Sequence, residues 1–124
     1  MKIKGIVWLG TRTERFEQMT DFCRNVFGMS QRQFEPGFAV FELPNGDLFE
    51  VFGADQPMNE FMTHPVAGFL VDDIESARDE MEEKGIEFLG PIEGDTDDYK
   101  WTHFRGPDGF VYELTYSNAH PSIA

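Results

Sequence analysis

Cysteine occurs once in the 124 residues, as Cys23. That excludes an internal disulfide and any zinc site built on cysteine pairs. Cys23 falls on the apolar side of an expected helix, where it reads as a buried, inert thiol. Basic residues are scarce: 10 Lys and Arg stand against 23 Asp and Glu, a formal charge of −13. Nucleic acid and anionic membrane surfaces require a basic face, so neither is an expected partner. The acidic balance suits a well-solvated surface and is compatible with a cationic ligand. Long apolar runs are missing. After Met1-Lys2-Ile3-Lys4, the run Ile6 to Leu9 is too short for a signal-peptide core or a membrane span. The expectation is a soluble, cytoplasmic protein. Histidine is limited to His64, His103 and His120. His64 precedes Pro65 and His120 lies with Pro121 and Ser122, so both read as surface residues. No Ser-His-Asp or Cys-His constellation can be assembled. No glycine loop cradles a phosphate either, because Gly28, Gly46, Gly85 and Gly109 all have turn or helix-end explanations.

What the chain does have is phenylalanine. It occurs 13 times, so an interior or a cavity must be rich in rings. The chain also repeats itself. Pro44-Asn45-Gly46-Asp47-Leu48-Phe49-Glu50 and Pro107-Asp108-Gly109-Phe110-Val111-Tyr112-Glu113 are each a tight turn followed by a strand. Each places a glutamate six residues after the proline and one residue after an aromatic. Alternation along a strand gives the two glutamates one orientation relative to their turns.

The repetition extends to the surrounding elements. Residues 4–10 form an expected strand, and Thr13 could cap the helix that follows. Phe16, Met19, Phe22, Cys23, Val26 and Phe27 recur at helical spacing until Gly28. Strands are expected near 30–35, 38–43 and 47–52, with Asn45-Gly46 as a hairpin turn. The second half follows suit. Residues 66–71 are an expected strand, and Asp72 with Glu75 resembles a capping box. Ile74, Ala77 and Met81 mark the buried face of a helix ending at Gly85. Strands are expected near 86–90, 99–105 and 110–116. Residues 93–98 read as an acidic, exposed loop. The chain is therefore one α+β domain of two βαβββ modules, about 1–53 and 66–118, joined by a linker at 54–65. One helix covers one face of each sheet. A glutamate on that side would bury an unpaired charge, so Glu50 and Glu113 belong on the open side. Two curved mixed sheets with open faces imply a cleft.

The stretches Asp21-Phe22-Cys23-Arg24-Asn25-Val26-Phe27-Gly28, Val71-Asp72-Asp73-Ile74 with Gly85, and Gly106-Pro107-Asp108-Gly109-Phe110-Val111-Tyr112-Glu113 resemble the vicinal oxygen chelate superfamily. That superfamily includes glyoxalase I, bleomycin-resistance proteins, fosfomycin-resistance enzymes and extradiol dioxygenases. The resemblance covers almost the whole chain and implies the glyoxalase/bleomycin-resistance-like fold. Metal-using relatives take ligands from the first and last strand of each module. The last-strand positions match Glu50 and Glu113, and the first-strand positions match Trp8 and Val66. Neither of the latter binds a metal, so the resemblance implies no cofactor or a weakly bound divalent cation on two carboxylates. His64, two residues before Val66, would keep the strand's face if the register slipped by two. The row Tyr99, Trp101, His103 and Arg105 alternates with Lys100, Thr102 and Phe104, and the hairpin register leaves open which row joins Glu113. Positions matching Trp101 and His103 bind substrate in fosfomycin-resistance relatives, so the resemblance places that row in the cleft. It also implies a homodimer.

The expected pocket has walls of Trp8, Phe38, Phe52 and Trp101, with His103, Glu50 and Glu113 as polar groups. This mix suits an aromatic or cationic small molecule. Glu50, Glu113 and His103 are the candidate proton-transfer residues. Each glutamate could instead bond only to a backbone amide or an arginine. His103 could be a satisfied wall residue, and Trp8 could be plain core. Three functions remain open: a ligand-sequestering protein without catalytic metal, a lyase, isomerase or dioxygenase, and an interaction module.

Overall fold

The computed structural model describes residues 1–95 and 97–123. Its elements are β1 (Gly5–Thr13), α1 (Phe16–Asn25), β2 (Ser30–Glu35), β3 (Phe38–Glu42), β4 (Leu48–Gly53), β5 (Val66–Leu70), α2 (Ile74–Glu83), β6 (Glu93–Asp95), β7 (Tyr99–Arg105) and β8 (Val111–Ser117). The architecture is α+β, built of two βαβββ modules with mixed sheets. Two compact units result: Trp8–Val66, and Met1–Val7 with Ala67–Ala124.

In the unit Trp8–Val66 the strands run in the order β2-β3-β4-β1. β1 lies parallel to β4, while β3 is antiparallel to both β2 and β4. Helix α1 covers one face. Its buried residues Phe16 and Cys23 pack on Ala39, Phe41, Phe49 and Val51. Alternation makes this possible, since Phe49 and Val51 point one way and Leu48, Glu50 and Phe52 the other. Cys23 is fully buried, and that burial pushes its thiol pKa up despite the pull of Arg24.

In the other unit the order is β5-β8-β7-β6, with β5 parallel to β8 and the remaining pairs antiparallel. Helix α2 sets Ile74 and Ala77 on Leu114 and Val71, flanked by Phe88, Phe104 and Tyr116.

The repeated turns are built alike. Gly46 and Gly109 hold left-handed φ values of 91° and 88°, which a side chain would strain. Their amides donate to Leu43 and Gly106 carbonyls. The residue before each glycine accepts from the backbone two residues on: Asp47 N to Asn45 Oδ1, and Phe110 N to Asp108 Oδ1, both 3.0 Å.

Several expectations are corrected. β1 continues past residue 10 to Thr13, because its ladder with β4 extends to the pair Thr13–Gly53. Thr13 therefore ends a strand rather than capping α1, and its hydroxyl accepts from Arg15 N at 2.9 Å. Helix α2 is capped by Asp73, which accepts from Ser76 N at 3.0 Å, not by Asp72. No strand forms over 86–90. Phe88 makes an isolated bridge with Phe104, and the β7 edge passes to β6 beyond Pro91. Proline has no amide to donate, so it interrupts the ladder there. Glu93–Asp95, expected as loop, is that edge strand.

Candidate functional site

Both glutamates lie on the sheet face opposite the helix of their own unit. Glu50 pairs with Val40 on β3 and Gly10 on β1. That row shares its face with Trp8, Arg12, Phe38 and Phe52. Glu113 pairs with Gly68 on β5 and His103 on β7. Trp101 pairs with Thr115 beside it. The register left open by the sequence thus sets the row Tyr99, Trp101, His103 on the side of Glu113. Lys100, Thr102 and Phe104 share the opposite side with Leu114, under α2.

Glu113 is 2% exposed. Its carboxylate is gripped from two directions. The Thr115 hydroxyl donates to Oε2 at 2.6 Å, and His103 Nε2 lies 3.1 Å from Oε1. The second contact is close in distance but not aligned as a hydrogen bond. Burial of a carboxylate requires such partners, because an isolated charge in a dry interior is costly. Thr115 lies two residues after Glu113 on the same strand face, so alternation points to it. The sequence reading gave Thr115 no role, although the sequence carried that signal. Tyr99 and Trp101 stand next in the row, with ring centroids 5.9 Å apart.

Glu50 is half-buried. Its row is shaped by Gly10. A Cβ on Gly10 would lie 2.1 Å from Trp8 Cη2, so the indole lies flat along β1 over the glycine. Trp8 and Phe52 are buried at 6% and 5%, in a cluster with Met62 and Val66. Phe38 is half-buried against it, its ring centroid 5.2 Å from that of Phe52. Trp8 and Phe52 are thus packed as core in this unit, and Phe38 is more accessible. Glu50 belongs to the unit Trp8–Val66, whereas Glu113 and His103 belong to the other.

His64 is exposed and lies before β5, with the Thr63 hydroxyl 3.1 Å from Nδ1. Val66, not His64, occupies the strand. His120 accepts from Ser122 N at 3.2 Å in a C-terminal turn.

Residues 5–114 match the family described as the Glyoxalase/Bleomycin resistance protein/Dioxygenase superfamily. The chain belongs to that superfamily. Among solved structures it is similar to a variant of Streptomyces coelicolor methylmalonyl-CoA epimerase, with TM-score 0.71 and 14% identity over 95% of this chain and 100% of that one. A Bacillus halodurans hypothetical protein gives TM-score 0.70 and 14% identity over 91% and 94%. A superfamily member from Vibrio splendidus gives 0.65 and 16% over 88% and 96%. At such identities these likenesses establish the glyoxalase/bleomycin-resistance-like fold and nothing finer. No protein of curated function matches the chain.

Superfamily members often use a divalent metal. The first-strand positions here are Trp8 and Val66, both in an apolar cluster and neither with a donor for a hard or borderline cation. Among the described residues, no three His, Cys, Asp or Glu side chains gather as a cation site. These side chains do not fit a four-ligand centre. Among the described residues, no helix is long and apolar enough to cross a membrane.

Proposed function

We propose that this superfamily member is a cytoplasmic small-molecule-binding protein that takes an aromatic, cation-bearing compound on the helix-free faces of its sheets. The observation that carries this reading is the setting of each glutamate. Each stands in a row with aromatic residues, Glu50 with Phe38 and Phe52, and Glu113 with Trp101 and His103. A carboxylate beside rings suits a cation that must be desolvated, because the rings add cation–π attraction and the carboxylate adds charge. Trp8 and Val66 support binding without a catalytic metal, since both are packed in hydrocarbon. Glu50 and Glu113, each within its own unit, are the carboxylates at which a loosely held divalent cation would be met. The active species is proposed to be a homodimer, and a monomer by light scattering at micromolar concentration would count against it.

A second reading is favoured by one specific observation, the buried contact between His103 and Glu113. A histidine beside a buried carboxylate can move a proton, so a lyase or isomerase using His103 with Glu113 is the alternative. Thermal shift tests the first reading. Chelator-treated protein should be stabilised by aromatic cations and respond weakly to magnesium, manganese, nickel, zinc and iron. Tight stoichiometric binding of a transition metal would overturn the metal-free reading.

A further inference from the structure

Arg12 is the residue the small-molecule reading leaves unexplained. It lies on β1 on the face of Glu50, and its Cα pairs with Phe52, which in turn pairs with Phe38. Arg12, Phe52 and Phe38 therefore stand side by side across three strands. The guanidinium is part-buried. Its Nη2 donates to the carbonyls of Ala54 at 2.8 Å and Gln56 at 3.2 Å, which ties the segment after β4 to the sheet. Nε is buried with no hydrogen-bond acceptor among the described residues.

Counter-charge is abundant elsewhere in this acidic chain. Lys4, Arg32, Arg78, Lys84, Lys100 and Arg105 all lie in ion-pair range of a carboxylate. Arg12, though half-buried, meets none among the described residues. Asp55 sits between the two carbonyls that Arg12 holds, yet its carboxylate lies near Gly53 instead. A guanidinium withdrawn from water without a counter-ion, and with an orphaned N–H, is costly. Arginine's planar fork of five donors is matched to carboxylates and other oxyanions.

We propose that Arg12 binds an oxyanion of the ligand, a carboxylate in the simplest case, with the ligand's aromatic body against Phe38, the accessible ring of the row that Phe52 anchors in the core. Strands stand about 4.8 Å apart, so a carboxylate at Arg12 and a ring near Phe38 are separated by about two strand spacings. A one- or two-ring arene carrying a carboxylate on a short arm spans that length. The inference rests on the small-molecule reading and deepens it. The ligand becomes amphoteric, with a cationic group for a glutamate and an oxyanion for Arg12.

The test uses sodium phenylacetate and 2-naphthylacetate against phenylacetamide, at constant ionic strength. Wild-type protein should show a saturable rise in Tm with the two carboxylates and none with the amide. Arg12→Gln should bind the carboxylates at least tenfold more weakly. Since Arg12 also ties the 54–56 segment, the wild-type Nε–H resonance of Arg12 is followed by NMR in parallel and should move on titration. An unmoved Nε–H resonance, or an undiminished response in a folded Arg12→Gln variant, leaves Arg12 a backbone clamp and overturns the proposal. If aromatic cations bind and arene carboxylates do not, only the role of Arg12 fails. If neither class binds, the small-molecule reading fails with it.

Discussion

Replacing Gly10 by alanine should break the Glu50 face from underneath. The new Cβ would lie 2.1 Å from Trp8 Cη2, 2.6 Å from Cζ2 and 2.8 Å from Cζ3. Three ring atoms are involved, so a small tilt of the indole cannot relieve the contact. The ring must leave its place over β1, in a cluster where Trp8 is now 6% exposed. Inserting a methyl into a packed core costs about 1–3 kcal/mol, and removing a large buried aromatic about 3–5 kcal/mol. Partial loss of the Trp8 packing should therefore cost about 2–4 kcal/mol. Gly10 has no left-handed φ, so the backbone itself accepts alanine. With the indole gone, Gly10→Ala should become neutral or stabilising by about 0.5–1 kcal/mol, because glycine is a poor strand residue. Urea denaturation of wild type, Gly10→Ala, Trp8→Ala and the double variant measures all four corners. The reasoning is refuted if Gly10→Ala is as stable as wild type, or equally destabilising with and without Trp8.

Other expectations follow from single contacts. Thr115→Val removes the donor at Glu113 Oε2 and should cost about 1–3 kcal/mol by chemical denaturation, with Thr115→Ser recovering most of it. Equal stability of Thr115→Val and wild type would show that Glu113 does not need this partner. Asp73→Ala should lose about 1 kcal/mol of helix capping, while Asp72→Ala should stay within about 0.5 kcal/mol of wild type. Lys100 holds the Glu75 carboxyl below its usual range, chiefly through their hydrogen bond at 2.8 Å. A depressed folded-state pKa contributes stability above the unfolded value and loses it as pH falls through the folded one. The stability gap between wild type and Lys100→Gln should accordingly be open at neutral pH and close through the acid range. A gap that widens in acid would contradict the pairing. Cys23 should resist thiol reagents in the native state and react on unfolding, since burial raises its pKa and shields it.

Much of this fold is legible in the residues because local signals agree with the packing. The alternation of Phe49 and Val51 against Glu50 and Phe52 separates core from open face, and α1 does pack on the first pair. Gly28, Gly85 and the two repeated turns mark their boundaries by left-handed φ values. Other features depend on partners distant in sequence. The length of β1 is set by its ladder with β4, so residues 11–13 carry no clear strand signal of their own and nothing local marks Arg12 as a residue of the open face. The edge strand β6 is a short acidic stretch that only the β7 edge can recruit. The choice between Asp72 and Asp73 as cap turns on a single backbone bond. At the site, the His103–Glu113 pairing depends on a hairpin register that spacing alone left open. The layering of Trp8 on Gly10 is tertiary packing with no periodic trace.

On the proposed function, this chain binds a cation-bearing aromatic compound through its own carboxylates, without a metal. Isothermal titration of chelator-treated protein with benzyltrimethylammonium tests it most directly. Saturable binding is expected, weakened at least tenfold in Glu50→Gln or Glu113→Gln. Absence of binding in the chelated protein, with full recovery on adding a stoichiometric divalent metal, would show that the carboxylates act only through a metal.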